Sequence, residues 1–415
     1  MENRMKHKTS QKMRVISPKH LAKDARLLLT TNTLFTLAIA LSNTFVNVYL
    51  WKLEKDYILI GWFNFSHYFA IMLTYILAGK MAKKIDRTFI LRLGVGVLAV
   101  FYLIVLLLGE RTTDFYVLLG LILGVGQGFF WFSYDILYFE ITEPENRDIF
   151  NGWNGLLTSL AGIIAPFLSG WFLARKTGVT GYKTVFFISL IIFVLAVIIS
   201  LFFYKRKSTG RYRLNVAVSQ AFQKSNWRYI VLGMMAQGGR EGIIVFLIGI
   251  LIYISTKSEF MLGSYTMIIS AVSLVTYYVV GRFIKKNWRK HSMMVGTIMM
   301  GVAVVPMFLN INYTTLLIYG IGTSIFAPLY FIPLTSMIFD VIGLNEKTAS
   351  LREEYIVVYD LGLNLGRLTM IAVFLGFVKL IGVEHLRFLL LLAGSLQIVT
   401  WLFMRNVEIG DNKVN

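Results

Sequence analysis

Long apolar runs restrict the fold of this chain more than any other feature of its sequence. Twelve of them, at approximately 27–51, 57–79, 89–109, 114–140, 151–174, 183–204, 229–254, 262–284, 292–310, 313–340, 354–381 and 386–404, have the length of a membrane-crossing helix. Inside hydrocarbon every backbone N–H and C=O must find its partner within the segment, so such runs fold as helices. Of 415 residues 56% are hydrophobic and only 15% charged, which excludes a water-soluble globular protein. The sequence predicts an all-α membrane protein with twelve transmembrane helices.

The net charge of +19 is distributed as a topology signal. Of 41 Lys and Arg residues, 30 lie in the tails and alternate loops on one side, 9 lie opposite, and Arg240 and Arg367 fall inside spans. The positive-inside rule then places both termini and the 205–228 loop in the cytoplasm, with the chain in the plasma membrane. Basic residues in short loops argue against a nucleic-acid partner. Met1 to Arg26 is polar and basic and reads as a cytoplasmic tail, not a cleaved signal peptide. Cysteine is absent, which removes disulfides and thiolate metal sites. No HExxH, Walker A or Cys/His spacing occurs, and Gly124-Val-Gly126-Gln-Gly128 lies in an apolar span, where it reads as helix packing. The chain is expected to be no enzyme, with no cofactor and no metal.

An internal repeat organises the spans. Gly79-Lys-Met-Ala-Lys83-Lys84-Ile-Asp86-Arg87 is echoed by Gly281-Arg-Phe-Ile-Lys285-Lys286-Asn-Trp-Arg289, at an offset of 202. Gly124-Val-Gly126 is echoed by Gly320-Ile-Gly322. The expected organisation is a tail (1–26), a six-helix half (27–204), a central loop (205–228), a pseudo-symmetric six-helix half (229–404) and a second tail (405–415).

With these motifs the chain resembles the major facilitator superfamily of transporters over roughly residues 25–405. Gly79, Met81, Ala82, Lys84 and Arg87 match the family's loop motif after span two, with Lys83 where the family usually has Asp. Gln127-Gly128 matches part of its span-four motif, with Gly124 in place of the Arg. Gly162-Ile-Ile-Ala-Pro166-Phe-Leu-Ser-Gly170 is a loose version of the span-five kink of antiporters. The resemblance implies a secondary active transporter that moves a small solute by alternating access, coupled to a proton or sodium gradient. It implies export as the direction and a monomer as the working unit. A lipid or glycolipid flippase on the same fold and a non-transporting receptor or scaffold are the alternatives.

Charged residues inside spans are the candidate chemistry. Arg240 and Glu241 lie near the middle of span seven, where each costs roughly 2.5–3.5 kcal/mol on insertion scales. Such charges are tolerated facing a protein interior or a watery cavity. As neighbours they leave the helix about 100° apart, so one faces the cavity while the other meets a neighbouring helix. The functional reading gives Arg240 an anionic group and Glu241 a proton; the structural one is an ion-pair clamp. Asp360, Asn364 and Arg367 share one face of span eleven, and Gly362 with Gly366 permits close helix approach. Asp360 with Arg240, and Arg367 with Glu241, would form a neutral tetrad.

Other candidates line up along the remaining spans. Asp135 is a protonation site or a side chain reaching cytoplasmic water. Asn43, Asn47, Gln127 and Gln237 supply hydrogen-bonding groups, and Trp131 with Tyr134 is the aromatic pair best placed to face a cavity. His67, three residues after Asn64, reads as hydrogen-bonded structure, and Glu140 as a solvated helix end. By the resemblance, Lys83, Lys84 and Arg87 with Glu143, Glu145, Glu353 and Glu354 form a cytoplasmic salt-bridge gate.

Overall fold

The computed structural model describes residues 22–141, 144–176, 180–205, 211–223, 225–283, 286–344 and 346–408. The described residues are helical, with no strand among them. α1 (Lys23–Glu54), α2 (Tyr57–Ala82) and α3 (Arg87–Leu108) lead to a 3₁₀ turn at Gly109–Phe115. α4 (Tyr116–Ile141), α5 (Pro144–Leu173) and α6 (Thr180–Ser200) follow. A short helix, α7 (Leu214–Phe222), sits inside the stretch that the sequence reads as a polar loop. The chain continues through α8 (Asn226–Thr256), α9 (Glu259–Phe283), α10 (Arg289–Val302) and α11 (Val305–Leu309). It ends with α12 (Tyr313–Ile342), α13 (Glu346–Ser350), α14 (Arg352–Leu380) and α15 (Leu386–Met404).

Ten of the described helical stretches are long and apolar enough to cross a membrane. One of them, Arg87–Ile141, is folded by the 3₁₀ turn into α3 and α4, which pack on each other. α2 is not among these ten, and it carries the polar side chains Asn64, Ser66, His67 and Thr74, all buried. Large apolar side chains such as Leu118, Phe187 and Val275 face outward, as a lipid-facing surface requires. The ninth apolar run is broken into α10 and α11 ahead of Pro306, whose ring cannot continue a helix without losing a hydrogen bond.

Local chemistry fixes the helix ends. Asp56 accepts from the Ile58 N–H at the start of α2, Asp86 from Thr88 at the start of α3, and Ser225 from Arg228 at the start of α8. Asn312 and Thr315 form a reciprocal capping box on α12. α1 and α8 both terminate on a lysine in the left-handed region, Lys55 (φ 53°) and Lys257 (φ 54°). These two lysines are separated by the same offset of 202 as the repeated motif.

Packing is duplicated along the chain. α2 and α3 pack on α4, α1 on α5 and α6, and α3 on α6. In the same pattern α9 and α10 pack on α12, α8 on α14 and α15, and α10 on α15. Two matched contacts join the groups, α2 on α14 and α5 on α9.

Candidate functional site

The α2–α14 seam encloses a cavity of about 380 Å³. α2 lines it with His67, Tyr68, Ile71 and Tyr75, and α4 with Gln127, Trp131 and Asp135. α8 contributes Glu241 and Val245, α14 contributes Tyr359, Asp360, Leu363 and Arg367, and α1 contributes Asn43. A smaller annex of about 100 Å³ shares Asn43 and His67 and extends past Asn47 and Asn64. There the Asn64 amide donates to the Asn47 side chain at 2.8 Å.

Glycine brings the charged helices together. A Cβ on Gly238 would lie 1.9 Å from the Leu363 carbonyl oxygen, and one on Gly366 would lie 1.9 Å from that of Met235. Only hydrogen side chains let α8 and α14 approach this closely. At that spacing Arg367 reaches Glu241, through Nε at 3.1 Å and through a second guanidinium nitrogen.

Hydrogen bonds extend from this pair in both directions. Gln237 donates to Glu241 at 2.6 Å and accepts from the Tyr330 hydroxyl at 2.7 Å. Arg367 donates to Asn364 at 3.0 Å, and Asn364 donates to Asp360 Oδ2 at 2.7 Å. The Arg367 guanidinium also lies 4.8 Å from the centre of the Tyr68 ring.

Arg240 turns away from this site. It donates to the Tyr319 hydroxyl at 3.1 Å and, with the Gln397 amide oriented to satisfy both partners, to Gln397. The expected Asp360–Arg240 pairing is therefore absent, and the four charges do not form one tetrad. The rotation between adjacent helical residues is the reason: Glu241 points at α14, Arg240 at α12 and α15. Gln237 and Asn364 are buried braces behind the wall instead of cavity-lining groups. Tyr134 is likewise behind it, stacked between Phe130 and Tyr138, while its neighbour Trp131 lines the cavity.

Four polar lining groups, His67, Tyr68, Tyr75 and Tyr359, escape the sequence reading or enter it in another role. His67 contacts Gln127 at 3.1 Å, so the hydrogen bond expected of it is made at the cavity wall. Tyr68, Tyr75 and Tyr359 carry no signal in the sequence. His67, Ile71 and Tyr75 recur every four residues, a spacing that places all three on one helix face.

A lattice of ion pairs crosses the seam at the end bearing the basic loop. Lys83 lies 3.0 Å from Glu353 and 3.7 Å from Glu354, and Arg87 lies 2.6 Å from Glu353 and also pairs with Glu140. Arg352 approaches the same Glu140 at 3.2 Å. Glu140 is thus a paired and mostly buried group, not a solvated helix end, because α14 brings Arg352 over it. Lys84 is exposed and outside these pairs. Glu143 and the side chain of Glu145 lie outside the described residues. At the opposite end Lys52 pairs with Glu259 at 2.7 Å, and the Tyr182 hydroxyl donates to the same carboxylate.

Breaking the lattice tests its hold on the cavity. The chain contains no cysteine, so a single Ile71→Cys reporter inside the cavity is the only thiol. The double change Glu353→Gln, Glu354→Gln leaves Lys83 and Arg87 without their α14 partners. Maleimide labelling of Cys at position 71 from the Lys83 face is expected to accelerate several-fold, on the order of 1 kcal/mol of bias. Unchanged labelling in a folded protein would reduce these acids to helix-start residues.

Membrane-length helices around a polar cavity, tied across a seam at both ends, define a multi-pass membrane carrier. The chain belongs to the Major Facilitator Superfamily, whose profile matches residues 28–342. It is a transporter and not an enzyme. YqgE of Bacillus subtilis (strain 168) is 44% identical over 372 residues, covering 90% of this chain and 86% of that protein. A Geobacillus stearothermophilus protein encoded in the sodM 3' region is 48% identical over 164 residues, covering 40% of this chain and 77% of that one. Crystal structures of the E. coli fucose:proton symporter FucP share the fold, with a TM-score of 0.65 at 13% identity, covering 92% of this chain and 98% of FucP. A second FucP structure, in the outward conformation, gives the same TM-score at 12% identity.

Proposed function

We propose that this chain is a secondary active carrier that moves a small solute through the α2–α14 cavity by alternating access, coupled to protons. Its twelve spans form two six-helix halves, with both termini cytoplasmic and the Lys83 lattice on the cytoplasmic side. The duplicated packing and the matched lysines ending α1 and α8 support the two halves. One observation carries the coupling: the Glu241–Arg367 pair opens into a cavity that also holds Asp135 and Asp360. Carboxylates in a low-dielectric, water-accessible site are the groups that take up and release protons as a cavity changes sides. FucP is named a fucose:proton symporter; at 13% identity that likeness supports the alternating-access fold.

Proteoliposomes carrying an internal pH dye test the reading with a panel of amines, sugars, amino acids and carboxylates. At least one solute class is expected to change internal pH when added outside. Glu241→Gln is expected to keep solute exchange and lose accumulation driven by a pH gradient. A panel that produces neither pH change nor exchange with the intact protein refutes the carrier reading. Gradient-driven accumulation that survives Glu241→Gln removes the coupling role from that residue.

A further inference from the structure

The charged groups of the cavity leave an imbalance after internal pairing. The groups facing it are His67, Tyr68 and Tyr75 from α2, Asp135 from α4, Glu241 from α8, and Tyr359, Asp360 and Arg367 from α14. Arg367 is the one permanent cation among these, and it is consumed by Glu241, Asn364 and the Tyr68 ring. His67 is engaged with Gln127. Two carboxyl groups remain. Asp135 makes no hydrogen bond or ion pair among the described residues, and Asp360 accepts one side-chain hydrogen bond, from Asn364, with Arg367 acting on it only through space.

These two acids belong to opposite sides of the seam and act on each other electrostatically across it. Like charges brought together in a low-dielectric site repel, and a proton or another cation relieves the repulsion. The same region is walled by aromatic rings. Tyr75, Trp131 and Tyr359 line it, and Arg367 already occupies Tyr68. Aromatic faces attract cations, most strongly where water is scarce. A volume of about 380 Å³ falls in the range of small-molecule sites.

Resting on the carrier reading above, we propose that the solute is a small organic cation, held between Asp135 and Asp360 against the rings of Tyr75, Trp131 and Tyr359. An anion would meet two acids that make no ion pair, with no cation left free among the described groups that line the cavity. A neutral polyol could donate its hydroxyls to these oxygens but would leave the repulsion between the two carboxylates uncompensated. Cation and proton compete for the same oxygens: as the cation enters, a carboxylic O–H breaks, its proton passes to solvent, and the carboxylate stays behind as counter-ion. Binding and proton release are therefore one event.

The test uses the full chain in detergent with ethidium and benzyltrimethylammonium, and with glucose and benzoate as neutral and anionic comparators. Both cations are expected to raise the melting temperature, displace each other and release protons in weak buffer. Asp135→Asn and Asp360→Asn should each weaken ethidium by about tenfold or more and suppress the released proton. Asp135→Glu should restore both. Tyr359→Phe should retain ethidium where Tyr359→Leu loses it, since the ring is the binding element. Melting curves of the free variants separate misfolding from lost affinity. Stabilisation by glucose or benzoate but by neither cation overturns the proposal, as does unchanged ethidium binding in folded Asp135→Asn. In either case solute-dependent pH change in proteoliposomes would leave the carrier reading standing, and its absence for every solute would refute that reading too.

Discussion

Arg367→Ala will lower the stability of the purified protein by about 3–5 kcal/mol, the cost of leaving a mostly buried charge without its partner. Glu241 is 19% exposed at its side chain and Arg367 17%, so bulk water does not replace the lost guanidinium. The same change removes the donor to Asn364 and the cation over Tyr68. Adding Glu241→Gln to Arg367→Ala should recover most of the loss, because a neutral amide needs no counter-ion and still accepts from Gln237. Thermal melts of the four proteins in detergent decide this. Equal destabilisation of the single and double variants would mean that Arg367 acts through packing rather than through its charge.

Gly238→Ala will separate α8 from α14, with Gly366→Ala acting the same way from the facing helix. Each new methyl would lie 1.9 Å from a backbone carbonyl oxygen, and backbone cannot step aside as a flexible side chain can. Overpacking in a well-filled interior costs typically about 1–3 kcal/mol. The consequence here exceeds stability, since Glu241 meets Arg367 only at the native helix separation. Gly376→Ala on the same α14 is the control, with nothing within 4 Å of its Cβ and a gain in helix propensity of about 1 kcal/mol. Gly238→Ala is expected to lose yield and solute-dependent pH change together, while Gly376→Ala keeps both. A Gly238→Ala protein with normal melting and transport would show that the glycine contact is dispensable.

What the sequence revealed tracks what is local. Span positions, the repeat and the clustering of opposite charges near Lys83 and Glu353 are written as hydropathy and spacing, and the helices and the lattice appear where those patterns lie. Rotation about a helix axis is less legible. The adjacent Arg240 and Glu241 carry equal insertion costs, and only the neighbours of α8 decide which one meets the cavity. Trp131 and Tyr134 pose the same ambiguity, resolved by the stacking of Tyr134 on Phe130. Long-range pairing is legible only for charges that stand out inside spans, as Arg367 with Glu241, or that the family resemblance groups, as Lys83 and Arg87 with Glu353. Lys52 and Glu259 stand 207 positions apart as ordinary loop charges, and nothing in either neighbourhood announces the other. Tyr75 and Tyr359 drop out of view because a membrane helix rich in aromatics gives no sign of which rings face inward.

The hydrogen-bond chain from Tyr330 to Asp360 converges on Glu241 from both sides, and that polarity limits where a proton can sit. Glu241 accepts at both oxygens, from Gln237 on one and from Arg367 on the other. Arginine has no lone pair to offer, so a proton arriving at Glu241 must settle on the oxygen facing Gln237. Two donors would then confront each other. Gln237 would resolve the conflict by turning its amide over, presenting oxygen to Glu241 and nitrogen to Tyr330, whose hydroxyl now donates to Gln237 and would have to rotate to accept. Tyr330 lies on α12 between Pro328 and Pro333, where the helix lacks two of its own N–H donors. Protonation at the α8–α14 contact would thus be registered on a third helix by the reversal of one amide and one hydroxyl, with no rearrangement of packed side chains required.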